Sequence, residues 1–387
     1  MPKFKRRLRQ ACIFLGVFIV ALELTSWLYI RFVNQNIALP TYSLVNAGSK
    51  FWVAIDPNFG VWHRPGSRYL HNKSCFTVEY VANSLGMRDK ERTLQSNASR
   101  VAVLGDSFIE GWGNKSEDRL TDRLEATIGR EVLNFGTSGG FGPIQEWQQY
   151  KHFVSRFSHD VVLLGILPFN DFTDSSYDYA VKTQAQGYRP YLQGSYPNYK
   201  LVRQGQLSAA DASPPILKSV DFTLREWSAI YRVLRYLGSY RLRNFKLVPR
   251  WVTEFQTDTG RPPSMYYDYS QKDWDILRYC LEQMAQEARG KQFIVFTIPQ
   301  PTDFARYDGS TTPPLTAALT NLAKQANFTY VDLLDPMAKH DATTDDLFFV
   351  CDNHWDAHGN EVATSILLPY VEAALAEAEQ NGTTPQR

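Results

Sequence analysis

The chain has little cysteine, almost no charge surplus and no internal repeat across its 387 residues. Its four cysteines, Cys12, Cys75, Cys280 and Cys351, match neither a zinc site nor a redox pair in their spacing. A formal net charge of +1 removes the global basic signal of a nucleic-acid binder and any charge signal for an acidic substrate. The absence of repeats excludes solenoid architectures. His354 and His358 stand four apart, but Trp355 occupies the place of the glutamate in H-E-x-x-H and no second ligand cluster is present. No metal, no cofactor and no nucleic-acid partner are therefore expected. What the chain does have is an ordinary globular composition, 44% hydrophobic and 21% charged, with 9 Trp, 21 Tyr and 23 Phe. Such aromatic content suits a core and an aromatic-lined cleft alike.

The N-terminus carries a targeting signal. Lys3, Lys5, Arg6, Arg7 and Arg9 precede the apolar run 11–30 (ACIFLGVFIVALELTSWLYI). Twenty helical residues span roughly 30 Å, the thickness of a bilayer's hydrocarbon core. The basic flank favours a cytoplasmic N-terminus, which places the remaining chain in the periplasm or outside the cell. Glu23 interrupts the run and is tolerable there when partnered. No small-x-small cleavage site follows, so an uncleaved signal anchor is expected over a cleaved signal peptide. The expected segments are a basic cytoplasmic stretch at 1–10, a transmembrane anchor at 11–33 and a stalk or packed arm at 34–99. With Cys12 in the membrane, Cys75, Cys280 and Cys351 allow one intramolecular disulfide at most; three buried thiols are the equal alternative.

After a strand at 76–82, an α/β rhythm begins. Continuous apolar runs predict strands at 101–104, 131–135, 160–167, 293–298 and 330–334, interleaved with helices at 117–128, 143–157, 273–288, 315–325 and 360–375. Pro369 should bend the last helix, and 379–387 reads as a disordered tail. Alternating strands and helices imply α/β architecture with a parallel sheet covered on both faces. The rhythm stops across 172–270, too long for a simple crossover. That insertion reads as a strand-like stretch at 188–206, a loop rich in Ser, Ala and Pro, and a helix near 221–245. The helix carries Arg225, Arg232, Arg235, Arg241 and Arg243, read first as a solvated basic face and second as a surface against anionic lipid.

Polar residues gather where strands end, the place at which parallel sheets put their sites. The first strand runs into Gly105-Asp106-Ser107, the second into Asn134-Phe-Gly-Thr-Ser-Gly139, and the third into Asn170-Asp171. Near the C-terminus lie Asp352-Asn-His354-Trp and His358-Gly359. A serine hydroxyl needs a base, and the base an orienting group, so Ser107, His354 and Asp352 form a candidate triad. The amides of Ser107 and Gly139 and the side chain of Asn170 are candidate oxyanion donors. Gly136-Thr-Ser138-Gly-Gly140 fits G-x-S-x-G, making Ser138 a rival nucleophile, yet no helix follows it directly. Asp106 and Asp171 read as loop-fixing acceptors, and His358 as a helix-start residue.

These four blocks, GDS, NFGTSG, GILPFND and DNHW with HGN, resemble in order those of the SGNH (GDSL-type) hydrolase superfamily. Asn83-Ser-Leu-Gly86-Met-Arg88-Asp resembles a segment that often precedes GDS in membrane-anchored bacterial members. The resemblance implies a three-layer α/β/α sandwich with a parallel five-stranded flavodoxin-like sheet over 100–378, interrupted by the insertion 172–270. It also implies a serine esterase with Ser107 as nucleophile, His354 as base, Asp352 as its orienter, and Ser107, Gly139 and Asn170 as the oxyanion hole. Asp352 stands two residues before His354 where many members have three, which leaves a backbone carbonyl as the alternative orienter. The implied substrates are O-acyl, chiefly O-acetyl, esters of an envelope or exported polysaccharide, or a lipid ester. The alternatives are O-acetyl transfer to polysaccharide with a membrane-bound acyl-transfer partner, and a non-catalytic glycan-binding or assembly module.

Overall fold

The computed structural model describes residues 2–48, 51–178, 188–205, 215–243, 263–340 and 344–382. The expected Ser/Ala/Pro-rich loop of the insertion, the end of its helix beyond 243 and the last residues of the tail lie outside these.

An apolar helix, Pro2–Phe32, opens the chain; it is long and apolar enough to cross a membrane and buries none of its apolar window. The segment after it is a packed arm and not a free stalk. It carries two antiparallel hairpins, β1 (Ala54–Asp56) with β2 (Gly60–Trp62), and β3 (Arg68–Asn72) with β4 (Thr77–Val81). Phe51, Tyr80 and Val78 bury together beneath the second hairpin. β3 escapes a sequence reading because its burial comes from the arm's own aromatic cluster and its run RYLHN has no apolar alternation.

The central sheet contains β5 (Val101–Leu104), β6 (Val132–Asn134), β7 (Val161–Ile166), β10 (Gln292–Thr297) and β11 (Thr329–Asp332), in spatial order β11-β10-β7-β5-β6, all parallel. This is the expected flavodoxin-like order, and each strand falls within a residue of its predicted run or inside it. Alternate residues feed two cores. Ala102, Leu104, Val162, Leu164 and Val295 pack with the helices Pro143–His152, Gln271–Glu287 and Pro314–Ala326. Val101, Val103, Leu163 and Phe296 pack with Leu120–Ile128 and Ala357–Gly382 on the other face. Each fully buried Leu, Ile or Val is worth roughly 1.5–3 kcal/mol, so the two faces together close the three-layer α/β/α sandwich.

The helices depart from expectation where capping decides their ends. Ser270 and Asp273 form a capping box that starts Gln271–Glu287 two residues early. The helix after Pro143 stops at His152 and continues as a tighter 3-10 turn, Val154–Arg156. The final helix runs through Gly382, past the predicted start of the tail. Within the insertion, β8 (Arg189–Ser195) and β9 (Asn198–Gln204) form a hairpin. The single expected helix is two, Pro215–Trp227 and Ala229–Arg243. Ser228 makes the break: its Oγ accepts from the Tyr231 N–H at 3.1 Å, an N-cap for the second helix.

Candidate active site

The site begins with a backbone that only glycine permits. A Cβ on Gly105 would lie 2.4 Å from Ile109, and one on Gly136 would lie 2.2 Å from the Glu110 nitrogen. The short helix Ser107–Glu110 therefore nests directly against the ends of β5 and β6. Asp106 caps it, accepting from the Phe108 N–H at 2.9 Å. Ser107 is thus held at the carboxyl end of β5 by its own turn and by the adjoining end of β6.

Across the cleft, Ser107 Oγ lies 2.8 Å from His354 Nε2, and His354 Nδ1 lies 2.6 Å from Asp352 Oδ1. The carboxylate can only accept, so Nδ1–H donates to Asp352 and Nε2 is left to take the serine proton. The two-residue spacing is accommodated by a tight loop. Asp352 N–H donates to the Phe349 carbonyl, Phe349 N–H to the His354 carbonyl, and Phe348 bridges to Trp355. Asp352, and not a carbonyl, is the group that meets the imidazole.

Sequence reasoning missed what holds this loop. Lys73 Nζ donates to Asp352 Oδ2 at 2.6 Å, and Trp112 Nε1 donates to the same oxygen at 3.1 Å. Burial alone would raise the Asp352 pKa, but His354 and Lys73 outweigh it and hold the carboxyl well below the usual carboxylate range. The Trp112 ring stacks on the imidazole at 5.4 Å between centroids, and Phe108 packs on it at 4.7 Å. Cys351 is bonded to Cys75, which ties the loop to the N-terminal arm; Cys280 is a buried free thiol. A lysine in an arm hairpin and a tryptophan beyond the GDS block carry no local signal of these roles.

A cavity of about 720 Å³ opens over the pair and is lined by Ser107, Asn170, Lys73 and His354, with Gln300 and Phe169 on its walls. The Asn170 side chain lies beside Asp106, whose carboxyl it helps to keep ionised against burial. Its amide carries N–H donors, and its place on the cavity lining lets it offer one to a substrate oxygen. Gly139 is not on this lining; it sits one strand end away, its α-carbon facing Val61. Its loop is oriented by Glu110, to which sequence analysis assigned nothing. Glu110 accepts from the Ser138 N–H at 2.8 Å and Trp52 Nε1 at 2.9 Å, and pairs with His63 at 3.2 Å. Ser138 Oγ is buried and has no hydrogen-bond partner among the described residues, so the rival nucleophile has no base.

Behind the site lies a set of buried acids. Burial, then the neighbouring carboxyl groups, push Glu146 and Asp171 up; burial also pushes Asp106 up to about 6. Asp171 accepts from the Leu167 N–H at 2.7 Å, the loop-fixing role expected of it. His358 N–H donates to Asp356 at 2.9 Å at the start of the last helix, away from His354. Among the described residues no group of three or more His, Cys, Asp or Glu is arranged to hold a metal ion.

No protein-family model matches the chain, and no curated protein matches it. Solved structures do. A lipase/acylhydrolase from Enterococcus faecalis shares 13% identity, covering 71% of this chain and 96% of its own, at a TM-score of 0.37. A GDSL-like lipase from Bacteroides thetaiotaomicron shares 13% identity, covering 71% and 89%, at 0.36. A G-D-S-L family lipolytic protein from Desulfitobacterium hafniense shares 13%, covering 70% and 100%, at 0.32. The fold assignment stands on this chain's own strand order and the site on its own distances.

Proposed function

We propose that this chain is a serine ester hydrolase working through an acyl-enzyme. The observation that carries the reading is the continuous relay from Ser107 Oγ through the imidazole to Asp352, at 2.8 and 2.6 Å, at the mouth of a cavity that also holds Asn170. Ser107 Oγ attacks the ester carbonyl while His354 Nε2 takes its proton. The oxyanion is met by the Ser107 N–H and an Asn170 N–H, with Gly139 N–H as a third donor if its loop closes on the bound substrate. Collapse expels the alcohol, which leaves with the proton from His354. Water then repeats the sequence and releases the acid. Asp352, itself held by Lys73, keeps the imidazole oriented and its Nδ1 protonated throughout.

The substrate class we favour is an O-acyl, chiefly O-acetyl, ester on an envelope or exported glycan. The N-terminal helix would tether the enzyme to the membrane with its body on the outer side; the Cys75–Cys351 disulfide suits such an oxidising compartment. Transfer to a sugar hydroxyl uses the same residues, with the sugar replacing water. The test is to treat the protein with a fluorophosphonate and to follow p-nitrophenyl acetate. Labelling at Ser107 and turnover, both lost in Ser107→Ala, are expected. A protein that neither labels nor turns over is a binding module, and turnover accelerated by added oligosaccharide marks a transferase.

A further inference from the structure

The apolar helix does not stand apart from the rest of the chain. Ile30 and Ile37 bury with Ala229, and Trp27 and Val233 pack beside them, so the insertion's second helix lies along the last turns of Pro2–Phe32. Glu23, the one acid in the apolar run, accepts from Ser228 Oγ at 3.0 Å and from the Ala229 and Ile230 N–H groups at the start of that helix. An acid in a membrane span needs such partners. Here they come from the turn between the two insertion helices.

The first of these helices, Pro215–Trp227, is amphipathic. At 100° per residue, Ile216, Leu217, Val220, Leu224 and Trp227 fall within an arc of roughly 100°. All five are exposed, Ile216 at 77% and Leu217 at 62%. Glu226 points the other way, fastens the helix to the arm through Thr41 at 2.6 Å and Asn46 at 3.1 Å, and pairs with Arg232 of the second helix at 2.9 Å. Three of the five arginines are engaged within the pair: Arg225 and Arg235 pair with Asp221, and Arg232 with Glu226. The face that Pro215–Trp227 offers is therefore apolar.

Depth follows from length. Counting about 20 residues from Arg9 puts the outer edge of a ~30 Å hydrocarbon layer near Leu28. Glu23 and the turn at Ser228 then lie roughly 8 Å inside that edge, and Phe32 roughly 6 Å outside it, in the headgroup layer. Residues Phe32, Val33, Asn34, Gln35 and Asn36 form one wall of the cavity that holds Ser107 and His354. Val350, on the same cavity, is 86% exposed.

We propose that Pro215–Trp227 lies in the bilayer interface as a second membrane contact, and that the cleft opens at headgroup level, so that the O-acyl ester it takes is borne by a membrane-resident amphiphile, a lipid-carried envelope glycan and not a free exported one. The substrate half of this proposal rests on the serine hydrolase reading; the membrane half does not.

The test uses the full chain in phosphatidylcholine nanodiscs. A spin label on Leu217→Cys in a Cys12→Ser background should collide more with oxygen than with a water-soluble nickel chelate, and a label on Lys339→Cys should show the reverse. A water-like profile at 217 overturns the membrane contact. The combined variant Ile216→Ser, Leu217→Ser, Val220→Ser should lose tenfold or more in kcat/KM for p-nitrophenyl palmitate dissolved in the disc, while p-nitrophenyl acetate turnover is unchanged. Equal palmitate turnover in parent and variant overturns the amphiphile assignment. A parent inert toward p-nitrophenyl acetate sinks the hydrolase reading and the amphiphile assignment with it, and the spin label still decides the membrane contact.

Discussion

Ser107 and His354 meet across 2.8 Å, but they are delivered there by different kinds of structure. Ser107 depends on its neighbours: Gly105 before it, the Asp106 cap, and the backbone of Gly136 beneath its helix. His354 sits in a loop whose anchors lie far off in sequence, Cys75 bonded to Cys351 across 276 positions and Lys73 paired with Asp352 across 279. The nucleophile needs a fixed backbone, which a strand-to-helix turn supplies locally. The base needs a fixed ring orientation on a loop with few backbone hydrogen bonds of its own, and cross-links from the arm add what those bonds do not supply.

The largest effect that sharpens this contrast is on chemistry. His354→Ala should lower kcat/KM for p-nitrophenyl acetate by about 10³-fold or more, and adding Ser107→Ala should lower it little further, because the two act as a unit. Strict additivity in that double variant would break the picture of one relay. Next comes the loop's covalent tie. Cys75→Ala with Cys351→Ala should cost about 2–5 kcal/mol of stability in thermal unfolding, and activity should fall with it; Cys12→Ser, at an exposed position, should change neither.

A smaller effect is expected at Lys73. Lys73→Met should lower activity roughly tenfold, as loss of a charge-assisted hydrogen bond predicts. It should also move the acid limb of the pH–kcat profile upward. The sign follows from the charge: Lys73 sits 2.6 Å from Asp352, whose carboxylate is bonded to His354, and removing that cation makes a proton on the pair easier to hold, so the pair is protonated at a higher pH. Lys73→Arg should restore much of both. An unchanged acid limb in Lys73→Met would separate Lys73 from the relay.

The smallest effect lies on the nucleophile's side. Asp106 is raised to about 6 by burial, above its unfolded value of about 3.9. Between those values the folded state holds the proton more tightly than the unfolded one, so stability falls as pH rises through the window. Asp106→Asn keeps an acceptor for the Phe108 N–H and should flatten that slope by about 1–2 kcal/mol between pH 4 and 7. An unaltered slope in chemical unfolding would assign it instead to Glu146 and Asp171.

Much of this was legible in sequence. The five strands were, because strands buried on both faces read as unbroken apolar runs such as VAVL and VVLLGI. Ser107, Asn170, Asp352 and His354 were, because strand ends and their motifs are local. The split at Ser228 was not, since its cap is completed by Glu23, 205 positions earlier. Nor were Lys73, Trp112 and Glu110, whose partners come together only when the arm folds over the sheet.

By itself the sequence determined the five strands and the polar residues at their ends, because these depend on short-range periodicity; the order of the strands and the acyl chemistry came only as what the family resemblance implies. Tertiary structure alone decided that Cys75 pairs with Cys351, that Lys73 and Trp112 hold Asp352, and that the exit of the apolar helix walls the cleft. Those are contacts between segments whose meeting costs chain entropy and is repaid only by the packed whole.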